Sequence, residues 1–109
     1  MTDHQPAPFI LAAPTGTGWT GRHHPATDGR PSVAGPALAA LAARSPHTAA
    51  ALAHPGNPAG PDTRTLARWL YIFHADRIEI RRADIPGRWT TVATIPHHGP
   101  APDWRALDT

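Results

Sequence analysis

Cysteine and lysine are both absent from the 109 residues, and glutamate occurs once, at Glu79. Without cysteine there is no disulfide, no thiolate nucleophile and no cysteine-based zinc site. All ten basic residues are therefore arginine, against eight acidic ones, for a formal charge of +2. Large apolar residues are also scarce. Leu, Ile, Val and Phe together number seventeen, under the roughly 20% below which chains begin to resemble disordered ones. No apolar run approaches the roughly 18 residues of a membrane span. No basic start leads into an apolar stretch, so no signal peptide is read and the cytoplasm is the expected compartment. The length suits one small domain and excludes a large enzyme, a coiled coil or a collagen.

What is present is as telling. Eight histidines would lift the net charge from +2 to +10 if all were protonated, so electrostatic behaviour should change near pH 6. Ala, Gly, Pro and Arg make up about half the chain, the signature of a GC-rich bacterial genome.

Residues 1–35 are rich in Pro and Gly and read as irregular, with Phe9-Ile10-Leu11-Ala12-Ala13 as an edge strand or hydrophobic staple. Residues 36–44 are Ala-rich with Pro36 at the first position, which predicts a helix. Ser45-Pro46 repeats the start signal for a second helix to His54, and 54–61 read as a loop. Residues 66–95 hold most of the large apolar side chains. Ile78 and Ile80 alternate with Arg77, Glu79 and Arg81; Trp89, Ala93 and Ile95 alternate with Arg88, Thr90 and Thr94. Both are half-buried strand patterns, joined by a hairpin loop at 83–87. Residues 68–73 fit a strand by composition and a helix by the spacing of Leu66, Trp69, Leu70 and Phe73; the strand is favoured, with 62–67 as a helical turn.

The expected fold is α+β: a small three-stranded antiparallel meander packed on one or two Ala-rich helices. The irregular segment occupies 1–35, the domain 36–96 and a tail 97–109. Trp104 and Leu107 lie on one side of a single turn in that tail. The helices, or a second copy of the chain in a homodimer, must cover the apolar face of so small a sheet.

Several motifs fail on inspection. Gly16, Gly18 and Gly21 match a dinucleotide fingerprint, but two prolines and a glycine forbid the helix that must follow. His23-His24 and His97-His98 offer one ligand per pair at best, since adjacent side chains on an extended chain diverge. Convergence of His24, Asp28 and His98 is the remaining metal option, and no metal or other cofactor is expected. Ser32 and Ser45 sit in cap or loop contexts unsuited to a triad. A ribonuclease needs less, because the 2′-hydroxyl of RNA is its own nucleophile. His74, His97, Tyr71, Arg77 and Arg81 could supply proton transfer and a phosphate cation.

Charge placement is the strongest signal. Residues 1–63 are neutral, 64–88 carry net +3 and 89–109 carry net −1. Strand parity turns Arg77, Arg81 and Arg88 outward beside Thr90 and Thr94, with Arg82 adjoining. Arginine forks and threonine hydroxyls suit phosphate, so Arg77, Arg81, Arg82, Arg88 and Thr90 are the candidate nucleic-acid contacts. Glu79 stands among them and is free to pair with a neighbouring arginine. The leading reading is a small non-enzymatic accessory protein that binds nucleic acid, of a kind suited to a bacterial mobile element. A protein–protein adaptor or antitoxin-like inhibitor is the alternative, and a metal-independent ribonuclease-type toxin the third.

Overall fold

The computed structural model describes residues 7–16, 18–24, 28–44, 57–60, 67–85 and 88–108. Its elements are β1 (Phe9–Pro14), β2 (Trp19–His24), α1 (Pro31–Arg44), β3 (Asn57–Ala59), β4 (Trp69–Phe73), β5 (Arg77–Ile85), β6 (Arg88–Pro96) and a one-turn helix, α2 (Trp104–Leu107). The strands form one sheet in the order β3-β2-β1-β4-β5-β6. Every pairing is antiparallel except β1 with β4, which is parallel.

This overturns the expected three-stranded meander on Ala-rich helices. The described part of the N-terminal segment supplies β1 and β2, and β1 lies inside the sheet rather than at its edge. Phe9, Ile10, Leu11 and Ala12 are all buried because both faces of β1 are covered, which erases the alternation that marks a half-exposed strand. All five residues of β4 are buried for the same reason, and the strand reading of 68–73 holds over the aromatic run. The glycine and proline punctuation at 54–61 also hides a short strand, β3. The second predicted helix, from Ser45, lies outside the described residues.

α1 begins at Pro31 and runs through Pro36. The first proline loses nothing, because the leading N–H groups of a helix have no internal partner. Pro36 comes later and forgoes one bond. Ser32, in the first turn, carries one of those orphan N–H groups. Its N–H donates to Asp108 Oδ1 at 3.0 Å, and its hydroxyl donates to Asp108 Oδ2. A carboxylate at a helix N-terminus is favourable for the macrodipole as well as the orphan donor. The supposed tail is thus a cap. A Cβ on Gly35 would lie 2.3 Å from Cε3 of Trp104, so α2 sits on α1 at a distance only glycine allows.

The core has two sides. Toward α1 point Phe9, Leu11, Trp69, Tyr71, Phe73, Ile78, Ile80 and Ile95, which meet Leu38 and Ala42. Tyr71 donates its hydroxyl to the carbonyl of Gly29 and meets Phe9 edge to face, with ring centres 6.1 Å apart. Burial, then the charges of Asp108 and Asp28, push its pKa upward. Ile10, Ala12, Trp19, Ala59, Ala67, Leu70 and Ile72 form the second side, with Trp89 packed against them. No helix among the described residues is long and apolar enough to cross a membrane.

Candidate nucleic-acid interface

The site is set by two irregularities in the pairing of β5 with β6. The register runs Ile78↔Ile95, Glu79↔Thr94 and Ile80↔Ala93, then jumps to Arg81↔Thr91, leaving Val92 as an extra residue. A bulge of this kind shifts every later side chain on its strand by one position. Thr91, not Thr90, therefore stands beside Arg81 on the face away from α1. Thr90 lies opposite Arg82 on the α1 side. Trp89 pairs with Ala83 and packs on the second side of the core, so the expectation that Trp89, Ala93 and Ile95 share one inward face is wrong. A further shift pairs Arg88 with Ile85.

The five candidate residues are consequently divided. Arg77 and Arg81 share the outer face with Glu79, Thr91, Thr94 and Trp89. Arg82, Arg88 and Thr90 lie on the other side, toward the far end of the hairpin. β6 is the last strand of the sheet among the described residues, so the two groups lie on opposite faces beside that edge.

Glu79 organises the outer face. Its Oε2 accepts from Arg81 Nε at 2.6 Å and Thr91 Oγ1 at 2.8 Å, while Oε1 lies 3.0 Å from His74 Nε2. Burial pulls its pKa upward, but the bonds from Arg81, Thr91 and His74 outweigh that and hold the carboxyl down at about 2. Arg81 spends only Nε on this pair, so both terminal nitrogens of its fork remain available among the described residues. Arg77 pairs with the exposed Asp76 at 2.8 Å, and that bond lowers the Asp76 pKa. Arg82 faces Asp84 at 3.4 Å. Arg68 and Arg88 are exposed and have no acidic partner among the described residues.

The histidines play other parts than expected. His97 braces the turn after β4: its N–H donates to the carbonyl of Asp76 at 3.1 Å, and Nε2 donates to that of His74 at 2.9 Å. Its Nδ1 is buried without a partner among the described residues, as is Nε2 of His23, whose pKa burial lowers. Tyr71 is buried on the α1 side and cannot join His74, which removes it from the catalytic set proposed from sequence. Asp28 instead accepts from the N–H groups of Arg30 and Ala7 and from the Arg30 side chain. Burial opposes its ionisation, yet these bonds leave its pKa low. No group of three or more His, Asp or Glu among the described residues could hold a metal ion.

Sequence reasoning missed Thr91 and Trp89 as members of the outer face, and His74 as the partner of Glu79. Only the last left a trace: one glutamate in the whole chain, alternating with arginines. Comparison with known proteins finds no matching family, no matching curated protein and no matching solved structure.

Proposed function

We propose that this chain is a small accessory protein that binds single-stranded nucleic acid across the outer face of β5 and β6. The observation carrying this reading is the row formed by Arg77, Arg81 with Thr91, and Trp89, on the face of β5 and β6 opposite α1. Rungs on one face of a strand recur about every 6.8 Å. Arginine forks and hydroxyls contact phosphate, and an aromatic ring accepts a stacked base of any sequence. Exposed Arg68 and Arg88 add positive charge at the same end of the hairpin as Trp89. Arg82, Arg88 and Thr90 extend the interface around the β6 edge. Glu79 limits the charge of this face but also holds Arg81 in place, so less side-chain freedom is lost on binding.

The experiment is fluorescence anisotropy of a labelled single-stranded RNA or DNA of mixed sequence at increasing salt. Affinity should fall steeply with salt for the wild type. A second reading rests on β6 itself. It is a nine-residue edge strand with no charged side chain between Arg88 and Pro96, and such an edge can pair with a strand from a protein partner. Capture of one protein unaffected by salt, with no oligonucleotide binding, would favour that reading.

A further inference from the structure

We propose that the Glu79 centre cleaves single-stranded RNA, with His74 as the base for the 2′-hydroxyl and Arg81 as the cation on the phosphate. This inference rests on the nucleic-acid reading above and adds an activity to it.

The argument begins with the carboxylate. An ionised carboxylate only accepts hydrogen bonds, so His74 Nε2, 3.0 Å from Glu79 Oε1, carries the proton. Whenever that ring is neutral its lone pair is on Nδ1, which makes no hydrogen bond among the described residues. A third group that fixes the tautomer and direction of an imidazole is the recurring support for a histidine base. Glu79 does this while its other oxygen clamps Arg81 at 2.6 Å. Base and cation are thus held one carboxylate apart. The terminal nitrogens of Arg81 present the fork that matches a phosphate. Glu79 itself, bonded by three donors, is too weak a base to take the proton and acts as a positioning residue. His97 fixes the other side of His74 through its backbone carbonyl. Trp89, one rung beyond Arg81, offers a ring for the adjoining base.

The step needs no co-reactant. As His74 Nδ1 takes the proton, the 2′-oxygen attacks the adjoining phosphorus. The O2′–P bond forms and the P–O5′ bond breaks. The departing 5′-oxygen takes a proton from water, and His74 later returns its own to solvent. The products are a 2′,3′-cyclic phosphate and a 5′-hydroxyl. Charge gathering on the phosphorus oxygens in the transition state is what Arg81 stabilises.

The test uses the full chain with a fluorophore–quencher RNA in EDTA, beside DNA and 2′-O-methyl RNA of the same sequence. RNA should be cut to cyclic-phosphate ends while both controls stay intact. His74→Ala should lower kcat by about 100-fold or more, and His74→Gln should do the same if the alanine variant does not fold. Glu79→Gln should lower kcat with KM little changed, as expected of a residue that orients the base. Anisotropy with the 2′-O-methyl RNA is measured in parallel. Binding without cleavage of RNA overturns this inference and leaves the binding reading standing; neither binding nor cleavage overturns both. Cleavage undiminished in both His74 variants also overturns it.

Discussion

Asp108 caps α1 by accepting from the backbone N–H and the hydroxyl of Ser32, 76 positions earlier in the chain. The bond ties the last described residue to the first turn of the only long helix described. Asp108→Ala removes both acceptors, and loss of an N-terminal cap typically costs about 0.5–2 kcal/mol. A lowered Tm for Asp108→Ala, with Asp103→Ala unchanged as the exposed control, is the expected outcome. Equal melting of both variants would mean that the cap contributes nothing.

The contact between Gly35 and Trp104 reverses an ordinary expectation. Replacing a helical glycine by alanine usually stabilises by roughly 0.5–1 kcal/mol. Here the added methyl meets the indole ring, so Gly35→Ala should destabilise. The Gly35→Ala/Trp104→Ala pair should recover part of that loss relative to the sum of the single changes, because the ring that clashes is gone. A denaturant double-mutant cycle reads the coupling directly.

Glu79 makes stability depend on pH in a defined direction. Its folded pKa, about 2, lies below the ordinary value of 4.5, so folding favours the ionised form. The contribution is fully present above about pH 4.5 and is lost as pH falls toward 2. Glu79→Gln should be less stable than the wild type at pH 7 by on the order of 1–2 kcal/mol. The gap should close between pH 4.5 and 2. A gap that stays constant across that range would assign it to packing instead.

Ile80 is 1% exposed and faces α1. Ile80→Ala should cost about 2–5 kcal/mol, a large share of what so short a chain has to lose. Trp89 sits at the margin of the other side and is only partly buried, so Trp89→Ala should cost less than Ile80→Ala. The reverse order in urea midpoints would show that the two faces of the hairpin are misassigned.

The legible parts of this protein are those with one wet face. Ile78 and Ile80 alternating with Arg77, Glu79 and Arg81 announced β5 and its inward face. β1 left no such mark, because Phe9 through Ala12 are buried on both sides and a doubly buried strand has no period. Its parallel partner, β4, is separated from it by about half of the chain, and nothing local encodes that pairing. The site was lost at a single residue. Val92 bulges, Thr90 and Thr91 exchange faces, and Trp89 leaves the inward side; alternation alone cannot see an inserted position. Asp108 was equally hidden, because its partner lies at the other end of the sequence.

The most direct test of the binding face is the salt dependence of affinity for a single-stranded oligonucleotide, wild type against Arg77→Gln/Arg81→Gln. Each phosphate contact removed should flatten the plot of log affinity against log salt by about 0.7. Exposed substitutions elsewhere usually shift stability by no more than about 0.5 kcal/mol, so Arg44→Gln/Arg105→Gln, at two exposed arginines, serves as the charge-matched control. The account predicts a slope flatter by about 1.4 in the double variant and a smaller change in the control. No salt-dependent binding by the wild type, or an unchanged slope in the Arg77→Gln/Arg81→Gln protein, would contradict it.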